Sequence, residues 1–348
     1  MDVSRLNNFD FLRLILAIIV IISHSFPLTG NYYNEPLRAI TNNELDLGGL
    51  AVKGFFVVSG YLIFQSINRS KTFINYLWKR VLRIYPGLFV MLVVTLISIL
   101  FVYESKESVL NEKSYWTYLP RQMSLYFLQH DIEGVFTNLP YKTINGSLWT
   151  IAYEFSMYIL FGILFFIKKQ FRIIILCIVF IFCGIVSFYF PELLNNSLFS
   201  KINLYGPNFY ELTTFFASGA LLTYINYSKI NYKVFISFGL LICLIIFTSM
   251  GLYKEVKFLL IPLLIILFGV SSTQYINRIS EKIGDLSYGV YIYGWTIQQL
   301  LVFNFLLNPY ELALFSSIIT LFFGYFSWKL IENRFLKYKN LFLIKHEL

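Results

Sequence analysis

Apolar runs close to 20 residues long, separated by short polar segments, make up most of this chain. Apolar residues fill these runs instead of recurring on one face, as in an amphipathic helix, or alternating, as in a half-buried strand. A bilayer core about 30 Å thick needs roughly 20 apolar helical residues to cross it. The pattern therefore predicts ten transmembrane helices, at 9–28, 47–66, 87–103, 147–167, 171–190, 209–227, 234–251, 257–273, 285–305 and 311–330.

One further segment, 115–130, is aromatic but contains Pro120 and Arg121. A charged, proline-interrupted stretch is poorly suited to crossing a bilayer, so we expect an interfacial or re-entrant piece here. No polar stretch of the chain is long enough to form a hydrophobic core of its own. The expected fold is a single all-α polytopic membrane domain over residues 1–348.

Composition agrees with a membrane protein, because 57% of the residues are hydrophobic and 14% are charged. Soluble domains carry about 25% charge. The net charge of +9 would suggest nucleic acid in a soluble protein, but membrane proteins collect Lys and Arg in cytoplasmic loops. With the N-terminus inside, eighteen Lys and Arg, including Arg5 and Lys345, fall in inner segments and eight in outer ones. We predict that both termini are cytoplasmic, that membrane lipids surround the protein, and that nucleic acid is not a partner.

Two polar residues, Arg13 and His24, stand out inside the first apolar run. A charge at mid-bilayer costs roughly 2.5–3.5 kcal/mol on insertion scales, so such residues mark a functional site or a special contact. Their spacing of eleven residues places both on one helix face. Snorkelling of Arg13 to headgroups and an interhelical hydrogen bond of His24 are the alternatives. A cation and an imidazole on one stripe favour a catalytic role.

Glu154, near the start of the fourth apolar run, is the second unusual charge. Helical rise places it and His24 at comparable depths from the outer face, so the two side chains are predicted to meet inside the bundle. A carboxylate next to an imidazole fixes its tautomer and raises its basicity, as in acyl-transfer sites. The alternative is a structural role for Glu154, paired with Lys53 or with Tyr158 four residues later.

The second run contains Lys53, Ser59 and Tyr61 within a glycine-rich stretch, GGLAVKGFFVVSGYLIF. Small residues let helices approach closely, so a purely structural role for Ser59 is a strong alternative to substrate binding.

Arg80 and Arg83 precede Pro86 at the predicted inner start of the third helix. Arginines three residues apart face one way, and a pair of guanidinium groups suits phosphate. The alternative is an ordinary cytoplasmic bias or contact with lipid headgroups. Acidic residues at inner helix ends, Asp285 and Glu332, are expected to be solvated or paired.

The remaining histidines, His130 and His346, show no metal-ligand spacing with His24, so we expect no metal site. The sequence also contains no phosphate loop, GxSxG elbow or Rossmann fingerprint.

Six short motifs occur in order along the chain. Arg13 and His24 form an Arg-x10-His pattern. The other motifs are GFFVVSGYLI (54–63), RVLRIYP (80–86), NGSLWTIAYEFSMY (145–158), LSYGVYIYGW (286–295) and WKLIENRFL (328–336). Together these motifs resemble those of the acyltransferase-3 family of bacterial membrane acyltransferases, which O-acetylate surface polysaccharides.

Two positions depart from this resemblance. Many members have SYGIYLWHxP where this chain has Ser287 to Thr296, without the His and the Pro. Lys53 stands where some members carry Asp.

The resemblance implies acetyl-CoA as the cytoplasmic acyl donor and a hydroxyl of a cell-surface or lipid-linked polysaccharide as the acceptor, at the bacterial inner membrane. Arg80 and Arg83 would then hold the nucleotide phosphates, and the pantetheine arm would pass Arg13. His24 would act as general base or transient acyl carrier, with Glu154 orienting it. The expected substrate-binding residues are Lys53, Ser59, Tyr61, Trp149 and Tyr158. The donors to the oxyanion would come from Tyr61, Tyr158, Trp149 or Arg13.

Other function classes also use buried charges. A transporter or flippase of lipid-linked sugars would carry them along its path, but no inverted repeat of broken helices is evident. A glycan polymerase or glycosyltransferase would need an acidic sugar-phosphate or metal site. A structural scaffold would not need the stripe formed by Arg13 and His24.

Overall fold

The computed structural model describes residues 7–193, 195 and 198–342. Arg5, Lys345 and His346 lie outside these residues. The described chain folds into α-helices joined by turns and short 3₁₀ segments. Its α-helices are α1 (Phe9–Leu28), α2 (Pro36–Ile40), α3 (Leu47–Arg69), α4 (Phe73–Ile99), α5 (Lys113–Met123), α6 (Trp149–Gly162), α7 (Lys169–Tyr189), α8 (Leu198–Lys201), α9 (Gly206–Leu221), α10 (Lys233–Ser249), α11 (Tyr253–Gly269), α12 (Ile279–Ile283), α13 (Ser287–Asn304), α14 (Pro309–Ser327) and α15 (Asn333–Leu336).

Within the described residues, six helical segments are long and apolar enough to cross a bilayer, namely Phe9–Leu28, Leu47–Arg69, Phe73–Ile99, Trp149–Phe166, Lys169–Tyr189 and Pro309–Asn340. The other four predicted spans form helices of 16 to 18 residues, α9, α10, α11 and α13. An all-helical, multi-pass membrane fold is thus confirmed. A full crossing by these four helices, and the side on which each terminus lies, stay predictions.

The predicted start of the third span at 87 is wrong, because α4 begins at Phe73. The Thr72 side chain accepts a hydrogen bond from the Asn75 N–H and caps this earlier start. Pro86 lies within the helix and does not open it. Basic residues before Pro86 interrupt the apolar run without interrupting the helix, so hydropathy alone misplaces the boundary.

Segment 115–130 contains α5, which has 11 residues and is too short to cross a bilayer. The helix α14 continues through a π-helical turn, Trp328–Glu332, into α15. Single π turns inside helices are frequent at functional sites.

Close contact between α3 and α9 depends on two glycines. A Cβ atom added to Gly60 would lie 1.9 Å from the Phe216 carbonyl oxygen, and one added to Gly219 would lie 2.0 Å from the Val57 carbonyl oxygen. Neither position has room for a side chain. The glycine-rich stretch of α3 therefore has the structural role that small residues have at helix interfaces in membranes.

The long helices alternate in direction, which gives the bundle two distinct ends. Arg13, Arg80 and Arg83 lie towards the end at which α1 and α4 begin, and we call this the basic end. His24 lies towards the opposite end, together with the segment 100–148 that connects α4 to α6. We call this the loop end. The Trp295 indole of α13 donates to the Thr143 carbonyl and fixes the connecting segment to the bundle there.

Candidate active site

A cavity of about 330 Å³ opens at the loop end between α1, α3, α6 and α9. His24 lines it, together with Lys53, Trp149 and Tyr291. Cavities that bind small molecules have volumes of roughly 300–1,000 Å³. This cavity is therefore large enough for part of a substrate, and it collects three of the residues that the sequence singles out.

His24 is held by packing and not by a carboxylate. The edge of its ring meets the Trp295 ring, with 4.7 Å between the centroids. Its Nδ1 atom is buried, and no atom of the described residues forms a hydrogen bond with it. The side chain remains partly accessible on its cavity side. The ring nitrogen available to a substrate is thus Nε2.

A second cavity lies at the basic end and has a volume of about 200 Å³. Its polar lining is almost entirely cationic, because it includes the basic side chains Arg13, Lys79, Arg80, Arg83 and Lys339. Ser59 and Tyr158 line it from α3 and α6. Such a concentration of positive charge suits a polyanionic ligand.

A narrow chamber of about 40 Å³ lies between the two cavities. Arg13 lines both this chamber and the basic-end cavity. Val52 and Tyr291 line both the chamber and the loop-end cavity. The three spaces therefore lie in series through the bundle, from a cationic entrance, past Arg13 and Glu154, to His24.

The predicted pairing of Glu154 with His24 is wrong. One carboxylate oxygen of Glu154 accepts the Ser59 hydroxyl across 2.6 Å and the Tyr158 hydroxyl across 2.5 Å. Glu154 lines the narrow chamber, and His24 lines the loop-end cavity. The cause is depth, since Trp149, five residues earlier in α6, is the residue that reaches the cavity of His24.

Arg13 and Arg83 meet at Asp285, which the sequence leaves as solvated or paired at a helix end. Arg13 Nη1 and Arg83 Nη2 both donate to Asp285 Oδ2, each across 2.6 Å. The other oxygen, Oδ1, accepts the Ser287 hydroxyl across 2.6 Å. Arg83 also lies 3.4 Å from Glu332, which is buried in the π-helical turn. In the sequence, the position of Asp285 and Glu332 at the ends of apolar runs is the feature that could have indicated these ion pairs.

The predicted phosphate-binding pair of Arg80 and Arg83 therefore divides into two different environments. Arg83 is neutralised by carboxylates, but Arg80 contacts the Ser66 hydroxyl at 3.3 Å and lies over the rings of Tyr76 and Tyr158. No carboxylate of the described residues forms an ion pair with Arg80. The free cations of this cavity are thus Arg80 and its neighbouring lysines.

Two other predicted substrate contacts have different outcomes. Trp149 lines the loop-end cavity and packs against the Tyr153 ring, with centroids 5.4 Å apart. Tyr61 is buried against the Phe9 ring at 5.1 Å and points into the apolar core. It lines none of the three cavities described above, and its role at the substrate stays a prediction.

The absence of the histidine of the SYGIYLWHxP pattern coincides with close packing of α13 against α1. Gly294 occupies the position of the histidine, and a Cβ atom there would lie 2.9 Å from the Ile21 side chain. The neighbouring Trp295 contacts His24. In this chain α13 therefore lies against α1 too closely for a large side chain at 294.

A family profile described as an acyltransferase domain matches residues 6–334. The chain belongs to the acyltransferase-3 family. It is similar to an "O-acetyl transferase" of Shigella phage Sf6, with 29% identity over 95% of this chain and 96% of that protein. It is also similar to "Nodulation protein 10" of Rhizobium leguminosarum bv. viciae, with 28% identity over 48% of this chain and 46% of that protein. No solved structure matches the chain.

Membership of the acyltransferase-3 family makes this protein an acyltransferase for groups other than amino-acyl groups. Both the family and the phage relative support transfer to oxygen. The match covers every residue that lines the loop-end cavity and the narrow chamber, and all residues of the basic-end cavity except Leu336 and Lys339.

Proposed function

We propose that this protein transfers an acetyl group from cytoplasmic acetyl-CoA to a hydroxyl of a cell-surface or lipid-linked polysaccharide. It would act as a single domain over residues 1–348 in the bacterial inner membrane. Ten crossings would leave both termini in the cytoplasm and the basic end on the cytoplasmic side. The observation that carries the proposal is the series of cavities that joins a cationic entrance to His24.

The donor would bind at the basic end. The phosphates of coenzyme A are polyanionic, and Arg80, Lys79 and Lys339 line this cavity without a carboxylate among its lining residues. Arginine and lysine are the usual phosphate ligands in proteins. The thin pantetheine arm would then extend past Arg13 and Glu154 towards Tyr291.

The acceptor would enter from the loop end and present a hydroxyl to His24 Nε2. The imidazole takes the hydroxyl proton while the sugar oxygen attacks the thioester carbonyl. The C–S bond then breaks, and the departing thiolate receives that proton from the imidazolium. Donors for the oxyanion are available on Tyr291 and Trp149, which line the cavity with His24.

Surrounding lipid would cover the outer helix faces. Exposed apolar side chains such as Ile178, Ile181 and Phe182 run along α7. Such a surface is expected where acyl chains and not water are the solvent.

The decisive experiment compares two histidine variants of the purified full-length protein. His24→Ala should lower the rate of CoA release in the presence of glycan by about 10²–10⁴-fold, the range for loss of a general acid–base. His130→Ala is the matched control, because His130 is exposed in the connecting segment, and it should retain the wild-type rate.

Mass spectrometry of the glycan would detect the acetylated product. Full activity of His24→Ala would remove this residue from the mechanism. An acetyl group found on His24 after incubation with acetyl-CoA alone would instead identify it as an acyl carrier. Solute movement without consumption of acetyl-CoA would favour a transporter.

A further inference from the structure

Lys53 has no carboxylate within hydrogen-bond distance among the described residues. Its Nζ lies 3.9 Å from Glu211 Oε1, beyond hydrogen-bond distance. The same oxygen accepts a hydrogen bond from Lys257 Nζ across 2.6 Å. Two ammonium groups thus share one carboxylate, and the closer one is not Lys53. The Lys53 side chain is 14% exposed, so bulk water does little to compensate its charge.

The other carboxylates of the loop-end cavity already have donors from the protein. Glu35 accepts the backbone N–H groups of Leu47 and Arg38, across 2.8 and 2.7 Å. Asp46 accepts the Gly49 N–H and forms an ion pair with Arg38, each across 2.6 Å. These carboxylates are therefore engaged, and Lys53 remains the cation available to a ligand.

The space beside Lys53 is open towards the cavity. Gly49, which lines the cavity beside Lys53, has no side chain between the ammonium group and this space, and a Cβ atom added there would be in van der Waals contact with Lys53 Nζ, at 3.5 Å. Lys257, by contrast, lies behind Glu211 and over the Phe258 ring, with its Nζ 4.7 Å from the ring centroid. Of the two lysines, Lys53 is the one that lines the cavity with His24.

We propose that Lys53 binds an anionic group, a carboxylate or a phosphate, carried by the acceptor glycan close to the hydroxyl that is acetylated. This inference rests on the proposed function, in which the loop-end cavity holds the acceptor. Glu211 is bound by Lys257, so an anion on the acceptor gives Lys53 an acidic partner of its own. An ammonium group is a point charge and lacks the planar, bidentate geometry of a guanidinium group, so it can donate to a carboxylate or to a phosphate.

The test uses the purified full-length protein in lipid nanodiscs, acetyl-CoA and three synthetic tetrasaccharides. These differ at one unit only, which is glucose, glucuronate or glucose 6-phosphate. The wild-type protein should show a KM at least tenfold lower for one of the two anionic acceptors than for the neutral one. The two anionic acceptors distinguish a carboxylate from a phosphate.

Lys53→Met should raise the KM for the preferred anionic acceptor about tenfold or more and remove most of the difference in KM between the anionic and neutral acceptors. Lys53→Arg keeps the charge and should keep most of the preference. Lys113→Met, at an exposed lysine of α5, is the matched control and should behave as the wild type.

The comparison of acceptors on the wild-type protein needs no variant, so a misfolded variant cannot obscure the result. Equal KM values for the neutral and anionic acceptors would overturn the inference and leave the proposed function intact. A preference that persists in Lys53→Met would also overturn it. Absence of acetyl transfer to all three acceptors would overturn the proposed function and this inference together.

Discussion

Arg13 in α1 and Arg83 in α4 donate to the same carboxylate oxygen, Asp285 Oδ2, each across 2.6 Å. A residue between α12 and α13 thus connects the helix that carries His24 to the helix that carries the basic-end cations. Two guanidinium groups this close repel each other unless a carboxylate lies between them. Asp285 is therefore a positioning residue for Arg13.

Replacing Asp285 by Asn should lower kcat about tenfold to a hundredfold while the KM for the acceptor changes little. The physical reason is that Arg13 loses its fixed position at the narrow chamber, whereas the loop-end cavity is untouched. Steady-state kinetics with varied acetyl-CoA and varied glycan separate the two parameters. Asp10→Asn is the control, because Asp10 bonds to Ser280 at the same end. A raised acceptor KM with an unchanged kcat would contradict this role.

Glu154→Gln should leave the pH dependence of kcat as in the wild type. Its carboxylate accepts hydrogen bonds from Ser59 and Tyr158, so it does not set the protonation of His24. The amide oxygen retains an acceptor for these hydroxyls, and we expect a loss in kcat of about tenfold or less. A pH–rate profile from pH 5 to 9 provides the measurement. A displaced lower limb in this variant would show that Glu154 acts on the imidazole after all.

Arg80→Ala should raise the KM for acetyl-CoA about tenfold to a hundredfold, since charge-assisted hydrogen bonds contribute roughly 1.5–3 kcal/mol each. Arg80 has this effect because no carboxylate of the described chain competes for its charge, unlike Arg83. Lys329→Ala, at an exposed lysine of the same end, is the control and should leave the KM unchanged. An equal change in both variants would indicate a diffuse effect of surface charge.

Gly60→Ala should destabilise the protein by about 1–3 kcal/mol or more, the usual range for overpacking. Its added methyl group would collide with a backbone carbonyl of α9, at 1.9 Å, and backbone cannot move aside as a side chain can. Gly239→Ala is the matched control, because nothing lies within 4 Å of a Cβ atom at that helical position. Thermal unfolding in detergent, followed by tryptophan fluorescence, compares the two. Equal melting temperatures would contradict the close contact.

Run length and hydropathy were sufficient to predict much of this fold. The first apolar run gave α1 as Phe9–Leu28, with the same bounds as in the structure. The start of α4 was missed because basic residues that face a cavity look, in a hydropathy pattern, like the end of a helix. Charge patterns in sequence do not distinguish a solvated arginine from one that lines an internal space.

Most residues of the candidate site can be predicted from the sequence, but their hydrogen-bond and ion-pair partners cannot. The stripe of Arg13 and His24 does face the internal cavities, as the eleven-residue spacing indicated. The hydrogen-bond partners of Glu154 depend on how deep it lies in the bundle relative to His24. The predicted ends of the transmembrane spans are uncertain by a few residues, so they do not fix this depth. The sequence alone does not predict the role of Asp285, because this role depends on the contact of α1 and α4 with the start of α13.

The chamber of about 40 Å³ between the two cavities has a physiological consequence. Under the proposed function, a passage this tight would admit the pantetheine arm with its acetyl group but neither a nucleotide nor a sugar, so each of these would stay on its own side of the bilayer. Such an arrangement would let a cell modify its exterior with an activated group made in the cytoplasm, while the membrane stays closed to metabolites and ions.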